Sequence, residues 1–149
     1  MSLSPCEAVA IILENDPEVY ALRSDRYYIG LNMVPSRIQR PYQYADQRDV
    51  TEFRHMTGRT GYANVLFEIE TYADTPTACM NLARETRQTL DEYTGLVIDA
   101  DDGDEFEVIS IKLDDESHVL PVPIPNQDSG LAVIRQAYQM IYFRNPETV

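Results

Sequence analysis

The chain has 149 residues, 44% of them hydrophobic, and a formal net charge of −13. That length supports one domain, residues 1–149, with a real core. No apolar run approaches the ~20 residues needed to span a bilayer. The start, Met1-Ser2-Leu3-Ser4-Pro5, lacks a basic region followed by an apolar one, so neither a membrane partner nor a secretory signal is expected.

Ser4-Pro5-Cys6-Glu7 reads as a capping box, with Pro5 at the first helical position and Glu7 reaching back to the cap. The helix carries Val9, Ile12 and Leu13 on one face and ends near Glu14 to Asp16, because Pro17 disfavours helical geometry before it. Pro17 can start a short second turn, Glu18 to Leu22. Tyr27-Tyr28-Ile29 reads as a short strand ended by Gly30. Residues 31–41, with Pro35 and Pro41, read as extended linker, and Tyr42-Gln43-Tyr44 as another short strand. Residues 46–61 mix acids and bases without periodicity and hold two glycines, which predicts a long loop. Such loops inside a compact domain are usually functional or disordered.

Tyr62 to Tyr72 alternates, with Val65, Phe67 and Ile69 on one side and Glu68 and Glu70 on the other, the period of a half-buried strand. Thr75 then suits an N-cap and Pro76 the first helical position. Cys79, Leu82, Ala83, Thr86, Leu90 and Tyr93 recur at helical spacing, while Arg84, Glu85, Arg87 and Asp91 face away. Gly95 is expected to end that helix. Asp99 to Asp104 reads as an acidic turn. Glu105 to Leu113 is apolar on both faces and predicts an inner strand. Residues 114–130, with three prolines, predict a second long loop. Residues 131–143 fit either period, and their β-branched and aromatic content favours strand. The order α-β-β-β-α-β-β predicts an α+β fold: an antiparallel sheet of four to five strands with two helices packed on one face.

The charge is uneven. Residues 23–59 hold seven basic residues against four acids, and residues 99–116 hold nine acids and one Lys. Opposite segments of this kind suit head-to-tail pairing between copies, or are simply solvated loops. The acids around Asp99 fail the calcium-loop spacing, since counting from Asp99 puts Gly103 fifth and Ser110 twelfth. His55 and His118 fall in predicted loops away from ligand-spaced Cys or acids. The sequence has no Gly-x-Ser-x-Gly, phosphate-binding loop or dinucleotide fingerprint, so no catalytic, cofactor or metal residue is assigned. Cys6 and Cys79 sit on apolar helix faces and read as buried thiols of a reducing cytoplasm. The ten tyrosines lie mostly in or beside predicted strands, where high strand propensity explains any single one better than contact-making does.

One resemblance runs through this layout. It is carried by Asp16-Pro17-Glu18-Val19, Arg26-Tyr27-Tyr28-Ile29, Pro41-Tyr42-Gln43-Tyr44, Val65-Leu66-Phe67-Glu68-Ile69, Tyr72-Ala73-Asp74 with the helix from Pro76 to Leu90, and a closing strand Tyr138 to Phe143. In element order and apolar positions the chain resembles the tail completion, or tail terminator, proteins of long-tailed bacteriophages, which join tail to head. The resemblance implies a structural virion protein that assembles with itself as a hexameric ring, caps the tail-tube protein and docks on the head-tail connector protein. DNA would pass through the lumen without specific binding. Lack of catalytic motifs, opposed charged segments and overall acidity all agree with such a channel. The implied location is the virion, at the tail-head junction, after assembly in the bacterial cytoplasm. Interface candidates are Arg48, Arg54, His55 and Arg59 in the first loop, because Arg makes directed bonds at interfaces, and Asp101, Asp102, Asp104 and Glu105 in the acidic turn. Both loops are expected to order on contact with neighbours. Two other readings stay open: an acidic DNA-mimic inhibitor, and a carboxylate-metal enzyme such as a nuclease built on Asp99, Asp101 and Glu107.

Overall fold

A computed structural model describes residues 3–35, 37–55, 58–101, 103–122 and 131–143. Its first helix, α1 (Pro5–Glu14), starts on the expected capping box, in which the Ser4 hydroxyl accepts from the Glu7 amide and the Glu7 carboxylate from the Ser4 amide. Pro17 does more than begin a turn. Asp16 caps a second helix, α2 (Pro17–Arg23), accepting from the amides of Glu18 and Val19. The Asp16 carboxylate also accepts from the Thr89 hydroxyl, tying the α1–α2 corner to the third helix. That helix, α3 (Pro76–Leu90), is capped by Thr75 and buries Cys79, Leu82, Ala83, Thr86 and Leu90, the stripe read from the sequence.

The strands are β1 (Tyr27–Ile29), β2 (Tyr42–His55), β3 (Gly58–Ala73), β4 (Gly95–Ile98), β5 (Glu105–Val122) and β6 (Leu131–Phe143). They form one six-stranded sheet in the order β1-β2-β3-β6-β5-β4. Every pair is antiparallel except β1 with β2, which is parallel. The α+β class stands. The strand count, helix count and element order are corrected, by α2 and β4.

β4 opens at Gly95, the residue the sequence places at the helix end. The left-handed residue after α3 is Glu92, with φ 67°, and Gly95, with φ 148°, opens the new strand. A Cβ on Gly95 would lie 3.6 Å from the Tyr93 hydroxyl oxygen, ordinary contact, so backbone conformation rather than space selects glycine there.

Both long loops are corrected in part. Residues 46–55 and 58–61 are paired strand in the β2–β3 hairpin, and residues 114–122 continue β5. Residues 56–57 and 123–130 lie outside the described residues. The alternation is masked by bulges. In β2 the register shifts between Gln47 and Val50 and again between Glu52 and Arg54. In β5 a shift between Val108 and Ser110 reverses the inward phase. Phe106 and Val108 face inward before it, and Ile111 after it. The apparent two-sided apolarity of β5 is therefore one apolar face, offset by a single extra residue. β4 pairs with Glu105–Val108, Glu92 and Tyr93 bond Ile111, and the Leu113 amide donates to the Asp91 carboxylate, so β5 is inner up to Leu113 and an edge beyond it.

The inward face of β3 and β6 is a ladder of facing pairs: Val65 with Met140, Phe67 with Tyr138, Ile69 with Gln136. Phe67 and Tyr138 stack at 5.3 Å between ring centroids. α1 closes this core with Val9, Ile12 and Leu13, and α3 with Leu82 and Leu90. Within it lies a polar junction. Buried Gln43 on β2 accepts from Arg23 Nε at 2.7 Å and donates to Thr71 Oγ1 at 3.0 Å and Thr86 Oγ1 at 2.8 Å. One side chain thus links α2, β2, β3 and α3. Arg23 is fully buried, stacks over Tyr27 and donates Nη1 to the Ser24 carbonyl at 2.8 Å, and its burial lowers its pKa. Cys6 and Cys79 are buried as expected, and burial pushes their thiols to about 12 and about 11.

Candidate interaction surface

With all three helices on one face, the other face of the sheet has no helix over it among the described residues. Period 2 delivers to it Tyr42 and Tyr44 from β2, Glu68, Glu70 and Tyr72 from β3, and Arg135 from β6. Tyr42 and Tyr72 stack at 4.8 Å with planes 2° apart. Glu70 is the hub. It accepts from the Tyr72 hydroxyl at 2.7 Å and from Arg135 at 2.8 Å. Burial raises the Glu70 pKa, but the bonds from Tyr44, Tyr72 and Arg135 outweigh it and hold the carboxyl below its ordinary value. Burial and the Glu70 carboxylate push Tyr44 to about 12 and raise Tyr72 as well. Arg48 bonds Glu68 at 2.8 Å, and Arg135 also stands 3.9 Å from Glu68. Both Arg48 and Arg135 are therefore bonded to carboxylates of β3.

The predicted interface residues gather at one end of the sheet, with one exception. Arg54 faces Arg59 and His55 faces Gly58 at the tip of the β2–β3 hairpin; these three candidates are described in backbone only. At the same end, across β3 and β6, the β4–β5 turn carries the acids. Asp101 is exposed there and its amide donates to Asp99 Oδ1 at 2.9 Å. The Asp104 carbonyl accepts from the Asp99 amide at 2.8 Å, and exposed Glu105 opens β5 opposite Ile98. Asp102 lies outside the described residues. Tip and turn are separated by three strand spacings, on the order of 15 Å. The exception is Arg48, which stands higher on β2 beside Glu68. His118 is in β5 rather than a loop and rims a small pocket of about 230 Å³ with Arg84, Arg87 and Glu116.

The sheet's sides are open where the short strands stop. β1 covers β2 only at Gln43–Ala45, so β2 is an edge from Asp46 onward. β4 is the opposite edge. The Asp99–Asp104 bond fixes its alternation. Gly95 and Val97 bond β5, and the amides and carbonyls of Leu96 and Ile98 point off the sheet. Beside this edge runs a groove of about 420 Å³, floored by Ile11, Ile12, Val97 and Tyr93. Leu96 and Ile98 stand 51% and 52% exposed at its rim, large apolar side chains on an unpaired strand.

Sequence reasoning missed Glu70, Arg135, the groove and the Gln43 junction. Glu68 and Glu70 had shown as the polar side of β3. Nothing in the local pattern showed that Arg135, 65 residues further on, would meet Glu70.

These features define an α+β domain with one bare sheet face and two open edges. Among the described residues no three His, Cys, Asp or Glu side chains come together as a metal site, and no helix is long and apolar enough to cross a membrane. No protein-family model matches the chain, and no curated protein matches it in sequence. Its fold does match a solved structure: a chain in the virion of a native gene transfer agent (GTA) particle, with a TM-score of 0.67 at 17% identity. The match covers 94% of this chain and 95% of that one, so the likeness is of whole domains.

Proposed function

We propose that this chain is a structural virion protein whose copies form a closed ring, which terminates a tail tube and joins the tail to the head connector. The observation that carries this reading is the whole-length fold likeness to a chain of a virion particle. The tail-completion pattern of element order and apolar positions supports the finer role.

The charge of the chain fits a passage for DNA. A net charge of −13 repels phosphate. On the bare sheet face, Arg48 and Arg135 are both held by carboxylates, which lowers their pull on a polyanion. The hairpin residues Arg48, Arg54, His55 and Arg59 and the acidic turn with Asp101, Asp102, Asp104 and Glu105 are the contact segments of the ring and its tail-tube and connector partners. No residue is given a catalytic role.

Light scattering tests the reading. The protein, alone or mixed with tail-tube protein from the same particle, should give one discrete multi-subunit species. A monomer under both conditions, up to high micromolar concentration, would refute it.

A further inference from the structure

We infer that copies of this chain join by continuing the sheet: the β2 edge at Val50–Glu52 of one copy pairs in parallel with β4 of the next. This rests on the ring reading and names the contact that would build it.

Four observations meet here. First, the two edges lie at opposite sides of the sheet and at the same height. Glu52 is level with Ala63, Ala63 with Tyr142, and Tyr142 with Val108, which β4 reaches at Gly95. Both strands run the same way, and sliding the neighbour four residues, about 13 Å, along the strand from that level sets Val50 against Val97.

Second, the backbone groups fit. The Gly30 amide bonds the Ala45 carbonyl across β1–β2, so residues of that phase in β2 point off β3. After the extra residue between Gln47 and Val50, that phase passes to Val50 and Glu52. In a parallel ladder a residue bridges the neighbours of its partner. Val50 set against Val97 would donate to the Leu96 carbonyl and accept from the Ile98 amide, two of the four groups that β4 points off the sheet. The run Val50–Glu52 between its bulges is short, as β4 is.

Third, the side chains fit. Val50 faces Val65 and so shares the helix-side face, yet it is 44% exposed in the single chain. Paired with Val97, it would enter the groove over Ile11, Ile12 and Tyr93 of the neighbour. Thr51 and Ile98 would stand side by side on the opposite face.

Fourth, charge agrees along the same register. Past this pairing, the hairpin end of β2, which carries Arg54, and the neighbour's acidic turn, which carries Asp101, continue from the same ends of the two strands. Within one chain the backbone partner of Arg54 is Arg59.

Thr51→Cys with Ile98→Cys in one full-length chain is the test, since both positions are exposed and Cys6 and Cys79 are buried. Mild oxidation should give a ladder of cross-linked chains ending at the ring size, and neither single variant should cross-link. Val50→Asp should leave the melting temperature of the single chain unchanged and weaken assembly at least tenfold. If wild-type rings form by light scattering but the double variant does not cross-link within them, this contact is wrong and the ring reading stands. Dimers from Thr51→Cys alone would mean a two-fold contact and overturn it. A chain that stays monomeric alone and with tail-tube protein overturns both.

Discussion

Gln43→Leu is the sharpest probe of the interior. The substitution keeps the volume near constant and removes three hydrogen bonds at the meeting point of α2, β2, β3 and α3. The loss falls unequally. Arg23 is fully buried, so its Nε would lose its acceptor with no water to replace it, and a hydrogen bond to a charged group is worth about 1.5–3 kcal/mol. Thr86 keeps its bond to the Leu82 carbonyl, and Thr71 loses the amide it accepts from, adding roughly 0.5–1 kcal/mol. The expected cost is about 3 kcal/mol, or a melting point lowered by roughly 6–12 °C for a domain of this size. Urea unfolding followed by circular dichroism measures it. Gln43→Glu is the control. Its carboxylate can accept from Arg23 and from the Thr71 hydroxyl, so it should recover at least half of the loss at neutral pH. A Leu variant within about 0.5 kcal/mol of wild type, or a Glu variant as unstable as the Leu one, would refute this account.

Asp16→Ala removes the α2 cap and the Thr89 bond together and should cost about 1–2 kcal/mol in the same assay. Acid should weaken the fold through Glu70. Its folded pKa lies below the ordinary 4.5, so its contribution is complete above that pH and lost as pH falls through the folded value. Glu70→Gln should flatten that part of a stability-against-pH curve. Tyr138→Phe should be neutral or slightly stabilising, within about 0.5 kcal/mol, because the buried Tyr138 hydroxyl has no hydrogen-bond partner among the described residues. Glu92→Gly should stabilise by about 0.5 kcal/mol, since Glu92 holds a left-handed backbone, and calorimetry would detect the rise.

The sequence made legible what local rules control. The caps at Ser4 and Thr75, the buried stripe of α3 and the alternation of β3 all follow from side chains within a few positions of one another. Residues 46–61 and 114–130 read as loops because bulges broke their period, and a bulge is recognised only against its partner strand. Gly95 misled because one residue type serves both helix ends and strand openings that need positive φ. The candidate surface was half visible. The charged segments were found, and their placement at one end of the sheet was not, because that depends on β6 lying between β3 and β5. Resemblance supplied the virion reading; the whole-length match to a chain of a virion particle is a likeness of fold.

β6 also governs when the sheet can exist. Among the described strands it alone joins β1-β2-β3 to β5-β4, and it is the last of them along the chain. During synthesis the two halves must wait, side by side and uncoupled, until residues 131–143 leave the ribosome and slot between them. A nascent chain has no finished sheet, so under the proposed edge-to-edge pairing the order of translation itself would hold back assembly on unfinished subunits.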